Sequence, residues 1–252
     1  AEFLWKQPPR PDDADHPLAR VTMAPALKNA AEFAKRFGVR LGQGWGLTET
    51  GAVTLPPPLD EPPQNPLVCG RVRSDMFELM LADENDNPVP PGTPGQALVR
   101  PKQPYAVMLG YWRKPEATVE AWRNLWLHTG DVLVENPDGT YSFVDRMKDC
   151  IRRRGENISS LEVEQAVLTH PDVRECAAIP VQTDHIEDEV MVVISLREGS
   201  SLTPERLHEY LEPRMPSFMV PRYILVLDEL PKTETSKIKK DVLRKNGVVA
   251  GT

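Results

Sequence analysis

The sequence predicts an α+β protein in two parts, a β-rich part followed by a compact α+β module. Three observations predict it. Between Gly70 and Arg100, Phe77, Leu79 and Leu81 alternate with Glu78 and Met80, the period of a half-buried strand. From Val144 a run of seven charged residues leads to a turn at Gly155 and then into a helix at Ser159, with Met147, Ile151 and Ile158 as apolar anchors along the way. Beyond it, Ser159 and Glu162 have capping-box spacing, and Val163, Ala166 and Val167 give the following helix a buried face. The charged run reads either as a solvated hairpin or as a joint between two bodies carrying residues meant to meet an anion.

Composition narrows the class. A net charge of -7 argues against nucleic acid as a partner, because such proteins usually carry a basic face. The longest apolar run, Val190 to Leu196, is too short to cross a bilayer, so no transmembrane segment is expected. Cys69, Cys150 and Cys176 stand apart, with no histidine at metal-ligand spacing. They point to a reducing, cytoplasmic setting, with neither a disulfide framework nor a zinc site. The chain opens on Ala1-Glu2-Phe3-Leu4-Trp5, apolar and without an initiator Met, as though cut from the middle of something longer.

In chain order, residues 1–24 read as Pro-rich and irregular. Pro25 is expected to open a helix with a stripe of Ala30, Phe33, Ala34 and Phe37, closed by Gly38. Val39 to Leu41 reads as a strand. The loop from Gly42 to Gly51 then holds Gly44, Trp45, Gly46, Thr48 and Glu49. Glycines let backbone amides approach a ligand, and Thr and Glu offer phosphate and metal contacts, although the same loop also suits a plain turn between packed elements. No GxxxxGK[ST] sequence is present, so any phosphate is held by other means.

Ala97 to Val99 reads as a second strand, and Pro115 as the first residue of a helix to about Trp122. Trp126 to Asp131 leads into a strand at Val132, and Asn136-Pro137-Asp138-Gly139 turns the chain into Tyr141 to Val144. Asp131, beside Gly130 at that strand start, suits either a ribose diol or a turn cap. His128 reads as a hydrogen-bonded structural histidine. In the module, strands are expected at Glu175 to Val181, Glu189 to Arg197 and Tyr223 to Leu227. A further helix begins at Thr203-Pro204, buries Leu207, Tyr210 and Leu211, and ends by Pro213. Lys237 lies on a Ser/Thr-rich loop, where a solvated lysine is the ordinary reading.

Five stretches in order resemble the motifs of the adenylate-forming superfamily, which includes acyl-CoA synthetases, nonribosomal adenylation domains and luciferases. They are GWGLTETG, GYWRKPEAT, WLHTGD, DRMKDCIRRRGENISSLEVE and LPKTETSKIKK. The opening QPPRPDDADHPLARVTMAPAL is most similar to short- and medium-chain acyl-CoA ligases, including the carnitine/crotonobetaine type.

The resemblance implies the C-terminal part of an acyl-CoA synthetase fold. Residues 1–147 would be the tail of the large AMP-binding domain, a β-rich subdomain with an α/β stub, and residues 148–252 a mobile lid. It implies ATP/AMP, Mg2+ and coenzyme A as ligands, with a small carboxylic acid as acyl substrate. Trp45, between Gly44 and Gly46, would stack on adenine, Thr48 would contact the α-phosphate, and Glu49 would bind magnesium. Asp131 would hold the ribose hydroxyls and Arg146 the ribose or phosphates. Lys148 would be the hinge, and Lys237 would bridge substrate carboxylate and α-phosphate. Arg152, Arg153, Arg154, Gly155 and Glu156 would line the path of the CoA arm.

Two positions depart from the pattern: Ser236 stands where the family has Gly, and Gln96 where it has Glu. The upstream Ser/Thr/Gly-rich phosphate loop is not in the sequence, so the 252-residue chain alone is expected to be inactive. Two rival readings are an enzyme that loads a carrier-protein thiol and a non-catalytic interaction module.

Overall fold

Two units, Ala1–Val144 and Asp145–Thr252, make up the chain in the computed structural model. It describes all residues except 24–28, 57–66, 154–155, 183–187, 235 and 247–252.

The first unit opens with a single helical turn, α1 (Glu2–Trp5), and a strand, β1 (Arg20–Met23). The expectation of an irregular stretch over 1–24 is thus corrected. β1 pairs in parallel with β2 (Arg40–Gln43), a partner twenty residues away, and four residues carry too little periodicity to announce themselves. α2 (Ala30–Phe37) crosses between them, burying Ala30, Phe33 and Ala34 on one face. It ends at Gly38, which takes the left-handed conformation (φ 61°) and donates its amide to Ala34. The expected start at Pro25 lies outside the described residues.

Two short antiparallel pairs come next, β3 (Gly46–Leu47) with β4 (Gly51–Ala52), and β5 (Thr54–Leu55) with β6 (Arg71–Val72). β7 (Phe77–Ala82), β8 (Gly95–Pro101), β9 (Leu127–Glu135) and β10 (Tyr141–Arg146) then form a four-stranded sheet in the order β10-β9-β8-β7. α3 (Pro115–Ala121) carries Pro115 in its first turn. Trp45, Val53, Phe77, Leu81, Ala97, Val99, Leu127 and Leu133 pack into one buried cluster.

The second unit begins within β10, three residues before the expected boundary. The carboxylate of Asp145 accepts the amide of Ser160 at 2.6 Å, which ties that residue to the start of the next helix. The hairpin β11 (Ile151–Arg153) and β12 (Glu156–Ile158) leads to α4 (Ser160–Val167), with Ser159 Oγ accepting the Glu162 amide as the capping pattern requires. β13 (Val173–Gln182) pairs antiparallel with β14 (Asp188–Leu196). α5 (Pro204–Leu211) is capped by Thr203, and β15 (Tyr223–Val226) joins β14 in parallel.

Both faces of this sheet are covered. Val190, Val192 and Ile194 meet Val163 and Val167 of α4 and Leu207 and Leu211 of α5. Met191 and Val193 point the other way, onto Leu230 and onto Leu243 of α6 (Lys240–Asn246), a helix absent from the sequence expectations. Two-sided burial explains why β13 and β14 read as continuous apolar runs.

Candidate functional site

The nucleotide-site candidates fall on short, tightly held elements. After β2, Trp45 turns into the core with 7% of its surface exposed. Its amide donates to Thr54 Oγ1 at 2.8 Å. The chain then forms the β3–β4 hairpin, whose tip carries Thr48, exposed, and Glu49, half-buried. Thr50 braces that tip, accepting the Leu47 amide at 3.1 Å and donating to the Gly51 carbonyl at 2.9 Å. The strands approach so closely that a Cβ at Gly46 would collide with the Gly51 carbonyl oxygen.

Asp131 lies in mid-strand, not at the strand start that the sequence suggested. Between Gln96 and Leu98 the β8–β9 register slips, placing Thr129, Gly130 and Asp131 opposite Ala97. Gly130 takes φ 73° there, and Thr129 Oγ1 donates to the Ala97 carbonyl at 2.7 Å. Such a bulge re-aims a side chain. Here it brings the Asp131 carboxylate to Trp45, whose indole Nε1 donates to Oδ2 at 2.9 Å across 86 residues of sequence. The expected adenine and ribose residues are therefore direct neighbours.

His128 is structural, as expected. Its Nε2 faces Asp86 Oδ1 at 2.9 Å, and its Nδ1 faces the Trp126 carbonyl at 3.0 Å. The hydrogen bond from His128 holds the Asp86 carboxyl below its ordinary value.

At the joint, Arg146, Met147 and Lys148 are exposed, while Asp149 is buried. The amides of Asp149 and Cys150 both donate to the Arg146 carbonyl, at 2.8 and 3.0 Å. Strand alternation then sends Arg152 and Arg153 to opposite faces of β11. Arg152 is exposed, as are its partner Asn157 and the neighbouring Glu156. Arg153 corrects the expectation of a CoA-facing side chain. It is 6% exposed, with Nη1 donating to the carbonyls of Phe218 and Val220 at 2.9 and 3.0 Å. Its Nε lies 2.6 Å from Glu189 Oε2, a close charge contact without hydrogen-bond alignment. Arg154 and Gly155 lie outside the described residues.

Lys237 sits on an exposed loop whose backbone is fixed on both sides: its amide donates to Thr233 Oγ1 at 3.1 Å, and its carbonyl accepts the Thr233 amide at 2.8 Å. Ser236 before it takes φ 63°, a left-handed conformation in which the family's glycine would be unstrained. Nearby lysines differ in commitment. Lys232 pairs with Glu175 at 2.6 Å and Lys240 with Glu164 at 2.6 Å, whereas Lys237 forms no ion pair among the described residues.

Two further residues escaped the sequence reading. Tyr111 donates its hydroxyl to Glu49 Oε1 at 3.0 Å, and the Met108 amide donates to the Glu49 carbonyl at 2.7 Å, so the GYW stretch braces the hairpin tip. Gln43, 7% exposed at the end of β2, keeps an Oε1 with no hydrogen-bond donor among the described residues. Nothing local in the sequence marks either contact. Among the described residues no three His, Cys, Asp or Glu side chains cluster as a metal cage. A single carboxylate such as Glu49 still fits magnesium, which is commonly held by one or two carboxylates together with nucleotide phosphates.

The AMP-binding enzyme family matches residues 7–112, and the AMP-binding enzyme C-terminal domain matches residues 162–237. The chain belongs to this adenylate-forming family. It is 37% identical to a long-chain-fatty-acid–CoA ligase of Escherichia coli O6:H1, over 85% of this chain and 37% of that protein. It is 30% identical to a crotonobetaine/carnitine–CoA ligase of Salmonella arizonae, over 96% of this chain and 47% of that one. ATP-bound MatB from Rhodopseudomonas palustris superposes with a TM-score of 0.76 at 26% identity, over 91% of this chain and 45% of that structure. The chain spans less than half the length of each of these relatives. No described helix is long and apolar enough to cross a membrane.

Proposed function

We propose that this chain carries the nucleotide-binding and lid parts of an ATP-dependent acyl-CoA ligase. A substrate carboxylate oxygen attacks the α-phosphorus of ATP, expelling pyrophosphate and leaving an acyl-adenylate. The CoA thiolate then attacks the acyl carbonyl and expels AMP. The observation that carries this reading is Lys237, which forms no ion pair among the described residues and sits on a braced loop flanked by Lys232 and Lys240, both of them paired. Charge accumulates on the α-phosphate oxygens during the first step, and a fixed cation there lowers the barrier.

In the first unit, Trp45 and Asp131 form one buried pair that presents the carboxylate edge to a ribose, and the Thr48–Glu49 tip faces the phosphates. Tyr111 occupies one Glu49 oxygen and leaves the other for a cation. Magnesium bound there supplies charge neutralisation of the phosphates. Lys148 is the joint at which the lid changes orientation between the two steps, because a lysine loop serving the first step would obstruct the thiolate in the second. Among the described residues of the β11–β12 hairpin, the exposed Arg152 and Glu156 are left to meet the CoA arm once Arg153 is assigned to the core.

The test uses the protein expressed from its complete coding sequence. Carboxylate-dependent exchange of pyrophosphate into ATP is measured across fatty, aryl and betaine acids. CoA and a phosphopantetheinylated carrier protein are then offered as acceptors. Exchange with at least one acid, followed by a CoA thioester, is expected. No exchange with any acid, or transfer to the carrier alone, contradicts the reading.

A further inference from the structure

Helix α6 begins three residues after Lys237, and two of its cations fasten it to the chain on either side of Lys148. Arg244 Nη1 donates to the Lys148 carbonyl at 3.3 Å and to the Asp149 carboxylate. One turn earlier, Lys240 Nζ donates to Ser160 Oγ at 2.7 Å and pairs with Glu164. Ser160 in turn gives its amide to Asp145. Asp145 and Asp149, which bracket the exposed Arg146–Lys148 stretch, are thus both tied to one helix, directly or through Ser160. Asp145, Asp149 and Ser160 are 5%, 8% and 0% exposed, so these bonds are made largely out of water, where charge-assisted hydrogen bonds are strong.

We infer that Lys240 and Arg244 are positioning residues that join the Lys237 loop to the joint as one rigid piece. With its carbonyl held by Arg244, Lys148 is fixed on its C-terminal side, and reorientation falls to the torsions that precede that carbonyl. A turn at Lys148 then keeps the Arg244–Asp149 link and the Lys237 loop together on the lid side, and releases the Asp145–Ser160 bond, which spans the joint. The inference rests on reading Lys237 as catalytic and Lys148 as the joint, but its test needs neither substrate nor turnover.

That test is amide hydrogen exchange, followed by NMR on the 252-residue chain. Four amides report: Asp149 and Cys150 at the joint, and Thr233 and Lys239 in the lysine loop, the last donating to the Pro231 carbonyl at 2.8 Å. Arg244→Leu is expected to speed exchange at both groups together, by roughly tenfold or more, as loss of a charged hydrogen bond implies. The central amides of β14 should keep their rates, and Arg244→Lys, which keeps the charge opposite Asp149, should restore protection. Acceleration at only one group, an equal rise across β14, or no change overturns the inference. Asp149→Asn removes the same charge from the other side and is read in the same way if Arg244→Leu fails to fold.

Discussion

Arg153 distinguishes a buried structural cation from a ligand-facing one, and its replacement has a calculable consequence. Arg153→Met keeps most of the side-chain volume but removes the charge opposite Glu189, whose own side chain is 11% exposed. It also leaves the carbonyls of Phe218 and Val220 without their donor. Breaking a buried pair by removing one partner costs about 3–5 kcal/mol. Arg222, which also reaches Glu189 at 3.2 Å, is half exposed and offsets only part of that, so the lower end of the range is expected. With an m-value of about 1–3 kcal/mol/M, the urea midpoint should fall by roughly 1–3 M. All five tryptophans lie in the first unit, which separates the two transitions. Far-UV circular dichroism should show the loss while tryptophan fluorescence keeps its midpoint, and Arg222→Met should cost under about 1 kcal/mol, as exposed pairs do. A loss below about 1 kcal/mol for Arg153→Met refutes the buried assignment and returns Arg153 to the CoA path.

Two further predictions concern titration. Burial pushes the Cys69 thiol up to about 11 and the Cys150 thiol up to about 12, and lifts Cys176 well above its ordinary value. The native chain should therefore resist iodoacetamide at pH 8 and react at all three cysteines only when unfolded; rapid native alkylation at Cys150, the least buried, would contradict this. The Asp86 carboxyl is held below 3.8 in the folded chain, so its bond to His128 contributes stability above that value and loses it as pH falls through the folded one. Asp86→Asn should lower the stability of the first unit by about 1 kcal/mol at pH 7. The difference from the parent should shrink toward zero in acid; a constant difference would assign it to something other than the carboxylate.

Legibility in the sequence followed the range of the interactions. The β7 and β8 strands, the Ser159 and Thr203 caps and the Gly38 helix end were readable because each depends on residues a few positions apart. The Trp45–Asp131 bond was not, because the bulge that aims Asp131 is a property of β8–β9 pairing and leaves no local mark. Arg153 was misassigned for a related reason. In a three-residue strand, which arginine faces inward is decided by Glu189, thirty-six residues later, and not by the charge run itself. Helix α6 was missed because its seven residues carry four charges, two of which, on Lys240 and Arg244, are used internally. The motifs mark regions of the chain, while packing decides which side chain in each motif is buried and which is exposed.

The most direct test is Lys237→Ala in the protein expressed from its complete coding sequence, with the two half-reactions measured separately. Losing one preorganised contact to developing charge typically costs about 2.7–4 kcal/mol, a hundred- to a thousand-fold in rate. Acyl-adenylate formation should fall by that factor, while thioester formation from supplied acyl-adenylate and CoA should stay within a few-fold of the parent. Adenylation that survives within a few-fold would make Lys237 a solvated lysine and contradict its proposed place at the α-phosphate.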